Sequence, residues 1–283
     1  VRQRDDILGN VKLHLKLKDN ETLYCMASIN GAILLGGYWR ILEWKGENLS
    51  TILVCPFKVL SLFPSMIYAE RVYYGGGLEV GWLAKNEEGQ WVDAKKRIRL
   101  ADSAHSLLED RHGNLWAGTK VKGAYRIDKS LLVDHGISYN EAEIRHYDGG
   151  DALPEGHGAI TMASLRDSIL GLSEAGLLFY DEKEDRFQKV EGLPDNHKAL
   201  ALSKDQRSGV AWLGIETQTI SGIRSLLLGK LTLVEDGEFE WIPYAVPGLN
   251  RIGTMTNLFL EERGNHPVLW VSGSTGILRV KVN

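Results

Sequence analysis

Residues 110–118 read DRHGNLWAG, and the segment continues TKVKGAYRID to Asp128. Asp110, Gly113 and Asn114 are turn formers: short polar side chains bond their own backbone, and glycine takes positive φ without a steric penalty. Leu115-Trp116-Ala117 then reads as a strand, because aromatic and aliphatic side chains suit a pleated, half-buried surface. Gly118 prepares a second turn before Ala124-Tyr125-Arg126-Ile127. The pattern, a large apolar residue two before a glycine followed by a second glycine turn and a strand, recurs along the chain. It is found at Trp212-Leu213-Gly214 and at Ile169-Leu170-Gly171, and in altered form at Trp270-Val271-Ser272. Weaker copies are Leu34-Leu35-Gly36 and Tyr73-Tyr74-Gly75. The anchors fall at residues 34, 73, 116, 169, 212 and 270, with spacings of 39, 43, 53, 43 and 58. This is a repeat with loops of variable length.

Each anchor is preceded by a short apolar strand and a polar turn, and most are followed by a polar hairpin such as Glu87-Glu88-Gly89-Gln90. Four strands in about 45 residues is the unit of a β-propeller blade. The expected fold is therefore all-β: a single β-propeller domain over residues 1–283 with six four-stranded blades, seven being the competing count. The blades are placed at about 21–62, 63–101, 102–153, 154–193, 194–246 and 247–283. The last repeat has room for only three strands. The strictly alternating VKLHLKLK at 11–18 is a strand without a blade. As the outer strand of the last blade it would close the ring and cover an edge that otherwise invites aggregation.

Residues 108–119, LEDRHGNLWAGT, resemble the two-component regulator propeller repeat, whose blades carry D-x-x-G-N-L-W-x-G-T followed by G-L. The lead-in of that repeat, G-L-P-x-N, is matched by Gly192-Leu193-Pro194-Asp195-Asn196. Looser matches are Leu153-Pro154-Glu155-Gly156 and Val246-Pro247-Gly248-Leu249-Asn250. The resemblance is good across residues 102–246, fair in the last blade and poor before residue 100. It implies a propeller of the kind that forms the extracytoplasmic sensing part of regulatory proteins, usually within a longer chain. A periplasmic setting follows if this chain has that role, and a cytoplasmic one otherwise.

Composition narrows the partners. A formal net charge of −4 supplies no basic field for nucleic acid, and no window reaches the roughly 18 uninterrupted apolar residues of a membrane span. The first residues carry no charged and apolar run of an export signal, so such a signal is expected to be absent or already removed. The two cysteines, Cys25 on an inner strand and Cys55 on the outer strand of the same blade, are expected about 14 Å apart from strand spacing. That exceeds the roughly 7 Å a disulfide spans, so both are expected to be free thiols. Gly75-Gly76-Gly77-Leu78-Glu79-Val80-Gly81 has no lysine–serine/threonine pair or helix after it and reads as a turn of the second blade, not a phosphate loop. Trp116, Trp212 and Trp270 are expected to pack blades together, whereas Trp39, Trp44, Trp82, Trp91 and Trp241 are candidates for exposed aromatic contacts.

Function in a propeller is expected at the mouth of the central channel. The loops leading into the inner strands carry Asp102 and His105, then Glu155 and His157, then Asp195, Asn196 and His197, then Asn250 and Arg251. The turns between second and third strands add Lys120, Lys122, Glu174, Glu216, Gln218, Ser274 and Thr275. The leading expectation is a sensor or scaffold module that binds a small molecule, a glycan fragment or a protein segment at this mouth. No metal ligand set or cofactor is assigned. The alternative is a lyase or hydrolase that uses His105, His157, His197 and a carboxylate such as Glu155 or Asp195, with or without a divalent ion, because imidazole and carboxylate ligate such ions and shuttle protons. Convergence of these side chains on one point separates the two.

Overall fold

The computed structural model describes residues 22–46, 48–132, 144–149, 153, 158–204, 210–218, 222–234, 238–261 and 267–282. It is a six-bladed β-propeller of antiparallel sheets. The first blade is β1 (Leu23–Ile29), β2 (Ala32–Gly37), β3 (Arg40–Lys45) and β4 (Asn48–Val54). In the second, β5 (Val59–Pro64), β6 (Arg71–Gly76) and β7 (Glu79–Lys85) are completed by an outer strand in two pieces, β8 (Trp91–Asp93) and β9 (Ile98–Arg99), both paired with β7. The third holds β10 (Ala104–Glu109), β11 (Leu115–Thr119), β12 (Ala124–Ile127) and β13 (Ile144–Tyr147). The fourth holds β14 (Ile160–Leu165), β15 (Ser168–Ser173), β16 (Gly176–Asp181) and β17 (Arg186–Lys189). The fifth holds β18 (His197–Lys204), β19 (Val210–Gln218), β20 (Arg224–Leu233) and β21 (Phe239–Tyr244). In the sixth, β22 (Met255–Glu261), β23 (Val268–Gly273) and β24 (Gly276–Lys281) are the described strands. The closing strand expected at 11–18 lies outside the described residues.

The repeated glycine has a steric cause. In blades one to three, Gly36, Gly75 and Gly118 sit on the second strand opposite Cys25, Ser61 and Ser106 of the first. That face lies against the first strand of the next blade. A Cβ on Gly75 would come within 2.9 Å of the Ala104 Cβ, and one on Gly118 would meet the Ile160 carbonyl. The same row carries hydrogen bonds from blade to blade. The Ser61 hydroxyl donates to the Ala104 carbonyl at 3.0 Å, and the Met162 N–H donates to the Ser106 hydroxyl at 2.9 Å. Five of the six first strands carry a register shift near their start, at Leu23/Cys25, Val59/Ser61, Ala104/Ser106, Ala199/Ala201 and Met255/Asn257. A bulge at that point re-aims the residue it inserts and increases the local twist.

Apolar clusters bridge each successive pair of blades from the first to the sixth. Trp116 is fully buried in the third–fourth cluster against Tyr147, Tyr180 and Phe187, and its indole N–H donates to Asp110 at 2.9 Å. Trp212 is buried in the fifth–sixth cluster, whereas Trp270 is half-buried. Three expectations are corrected. Trp82 and Trp91 are buried, at 0% and 7% exposure, because the strand that bears Trp82 faces the third blade and Trp91 reaches back to donate to Glu43 of the first at 3.1 Å. Cys55 lies one residue beyond β4, in the apolar cluster shared with the second blade, its N–H held by the Trp39 carbonyl at 2.8 Å. The second blade starts at Val59, four residues ahead of the position read from the sequence, since only Cys55 to Lys58 separate β4 from β5. Both cysteines are free; burial pushes the Cys25 thiol up to about 12 and the Cys55 thiol up to about 11.

Candidate functional site

The mouth face carries the connections from each outer strand to the next inner strand, together with the turns between second and third strands. A depression of about 750 Å³ lies there between the fourth and fifth blades. One wall is the lead-in loop from β17 to β18, which brings Glu191, Asp195, Asn196 and His197. The β15–β16 turn supplies Glu174 and Ala175. The β19–β20 hairpin supplies Glu216, Thr217 and Gln218. That hairpin stands tall because β19 and β20 stay paired out to Gln218 and Arg224, with β18 following to His197 opposite Thr217. In the third blade the matching pair ends at Gly118 and Ala124.

His197 fixes the floor of this depression. The Leu177 N–H donates to Nε2 at 3.1 Å, so Nδ1 carries the proton and donates to the Pro194 carbonyl at 2.7 Å. Both ring nitrogens are thereby used inside the protein. Burial holds the imidazole below its ordinary value; the Pro194 carbonyl opposes this and nearby Lys189 adds to it. Around it Lys198 pairs with Glu174 at 3.3 Å, and Asn196 takes a left-handed φ of 52° that bends the loop into the inner strand. Glu216 is largely covered, with the Arg224 Nε at 4.0 Å.

Of the other expected site residues, the described ones do not join this group. Asp102 braces its own blade: its carboxylate accepts the N–H groups of Ser103 and Val121 at 2.7 Å and of Lys122 at 3.2 Å. Partial burial raises its carboxyl, but these bonds outweigh that and hold it below the usual carboxylate range. His105 is the residue inserted by the bulge of β10. Asn250 accepts the Leu226 N–H at 2.9 Å beside a second depression of about 270 Å³, also lined by Glu216, Arg224 and Ser274. Arg251 is exposed on a short 3-10 turn, and its carbonyl accepts the Thr275 hydroxyl at 2.9 Å. Glu155 and His157 lie outside the described residues. Among the described residues no three His, Cys, Asp or Glu side chains gather as a metal-ligand set.

Two features escaped the sequence reading. Lys189, Glu191 and Lys198 line this depression, and the one available signal was the leucine-rich stretch LLLGKLTL at 226–233, which forms most of β20 in the tall hairpin. The first blade also carries an aromatic patch on the mouth face. Tyr38 and Trp39 meet edge-on at 4.7 Å, Tyr24 lies 6.5 Å from Tyr38, and the Lys58 ammonium sits 4.8 Å above the Tyr38 ring. Trp39 is 53% exposed, in keeping with its expected role in an exposed contact.

No family model and no curated protein matches the sequence. Solved structures do match in fold. The extracellular domain of the one-component system BT4673 from B. thetaiotaomicron is 14% identical with a TM-score of 0.54, over 94% of this chain and 39% of that one. This chain thus spans about two fifths of that domain. An ancestral GH74 enzyme is 9% identical with a TM-score of 0.62, over 92% of this chain and 36% of that one. A glucose dehydrogenase is 14% identical with a TM-score of 0.52, over 93% and 96% of the two chains. At these identities the likeness is one of fold.

Proposed function

We propose that this chain is a binding module of the sensor or scaffold type, and that a small molecule, glycan fragment or protein segment docks in the mouth depression between the fourth and fifth blades. The observation that carries the reading is the depression itself, about 750 Å³, walled by three independent loops whose side chains are mostly polar. Concave sites of this size, with a few fixed polar groups, are where ligands are held and oriented. The likeness to the BT4673 extracellular domain supports an extracytoplasmic setting. The lyase or hydrolase alternative finds less support, since His197, one of the groups it relies on, spends both ring nitrogens on backbone groups. In its neutral form that ring has no lone pair left free to ligate a metal.

The test is a thermal-shift and calorimetric screen of oligosaccharides, amino acids and short peptides against the intact chain. Any ligand found is then measured on Asp195→Ala and Lys198→Ala, with Lys183→Ala, on the opposite face, as control. Affinity is expected to fall about tenfold or more in the first two, which is about 1.4 kcal/mol, and to stay unchanged in the third. A ligand whose affinity ignores both lining residues places the site elsewhere.

A further inference from the structure

We propose that His197 is an acid-sensitive latch: its neutral ring ties the lead-in loop of the fifth blade to the β15–β16 turn of the fourth, and protonation at Nε2 releases that turn and reshapes the depression. The consequence for ligands rests on the mouth reading above; the latch stands on its own geometry. In the neutral ring Nε2 is an acceptor, and the Leu177 N–H at 3.1 Å uses it. In the imidazolium both nitrogens are donors, so Nε2–H and the Leu177 N–H would face each other with no acceptor between them. The bond to Pro194 survives, because Nδ1 donates in either state.

The turn is also seated on the ring. Gly176 has a φ of +122°, and a Cβ there would lie 2.9 Å from both Cε1 and Nε2 of His197. The absence of a side chain at Gly176 lets the turn, whose Glu174 and Ala175 line the depression, close onto the imidazole, so the Leu177 bond is what ties the two together. Charged groups from each neighbouring element line the depression beside the ring. Lys189 lies at the end of β17, Glu191 and Asp195 on the lead-in loop, and Glu174 on the turn. Lys198 follows on β18 and is paired with Glu174, and Glu216 stands on β19 across from Lys198. Lys189 opposes protonation, and so does burial, which keeps the latch closed at neutral pH and places its release on the acid side of the ordinary imidazole range.

Amide exchange followed by NMR on the intact chain tests this without any ligand. Between pH 7.5 and 5 the protection factor of the Leu177 amide is expected to fall at least tenfold, in step with the His197 Cε1–H shift. In His197→Gln a carboxamide can accept from Leu177 and donate to Pro194 without titrating, so the step should disappear. A Leu177 amide that stays protected while His197 titrates would overturn the latch, as would a His197 ring that stays neutral down to pH 4.5. The same step in the glutamine variant would also overturn it. The wild-type titration is decisive even if that variant folds poorly. A latch that moves while ligands ignore the depression would refute the mouth reading alone.

Discussion

At the scale of single residues, the recurring glycine is a packing requirement more than a turn requirement. Gly118 lies inside β11, with the Ile160 carbonyl and the Ser106 hydroxyl where its side chain would be. The carbonyl belongs to the next blade's backbone and has nowhere to go. Gly118→Ala is therefore expected to cost about 1–3 kcal/mol, the usual range for overpacking a filled interior, read as a lower urea midpoint. Gly276 begins β24 with nothing within 4 Å of its missing Cβ and no positive φ. Gly276→Ala should stay within about 0.5 kcal/mol of the parent. Equal losses at the two positions would show that conformational freedom, not contact with the neighbouring blade, selects glycine here.

At the scale of elements, the hairpins were the most legible part of the chain. DRHGN is the β10–β11 hairpin, and Asp110 organises it by accepting from the N–H groups of His112 and Asn114, the Asn114 amide and the Trp116 indole, each at 2.9 to 3.0 Å. One side chain thus joins the turn to the buried packing of the blade. Asp110→Ala should destabilise by about 1–3 kcal/mol, since the indole N–H loses its acceptor inside the protein; an unchanged midpoint with unchanged near-UV circular dichroism would refute that. A second carboxylate ties one blade to the next. Asp185, left-handed at φ 49°, accepts from Tyr180 at 2.5 Å and from Tyr147 at 2.7 Å, with Arg126 at 3.4 Å and Arg145 at 3.3 Å. Burial alone would raise its carboxyl, but the two phenols and two guanidinium groups prevail and hold it low. Because the folded value lies below the unfolded one, near 3.9, its contribution is complete above that pH and is lost as pH falls through the folded value. Asp185→Asn should lower stability at pH 7 and flatten its decline below about pH 4, as measured by urea midpoints across that range. The less legible elements were those decided by their neighbours. Nothing local in EVGWLAK says that Trp82 faces the third blade, and the tall β19–β20 hairpin is set by pairing over nine registers that no turn signal announces.

At the scale of the whole molecule, blade count and order could be read because four of the five anchor glycines, Gly36, Gly75, Gly118 and Gly214, report a contact with the next blade, whereas Gly171 packs on Ile160 of its own. The site could be read only in part. The loops that hold Asp195, Asn196 and His197 were identifiable as mouth loops, yet the direction of each side chain depends on partners in another blade. His197 turns back to Leu177, and Asp102 turns to the loop of its own third blade, so residues expected to converge are instead spent on bracing. The thiols give a probe of how firmly the first two blades are joined. The half-buried Cys25 thiol donates to the Val59 carbonyl at 3.5 Å and lies against Gly36, so the second blade covers its sulfur side. Cys55 is buried in the same cluster. With both thiols raised by burial, to about 12 and about 11, little reactive thiolate is present at pH 8. The native chain is therefore expected to show no fast reaction with a disulfide reagent at pH 8, and two equivalents in urea. Cys25→Ser and Cys55→Ser should each leave one thiol, and the two survivors should label at the same slow rate if the blades open together. Fast labelling of the native Cys25 would mean that the interface between β1 and β5 is not closed in solution.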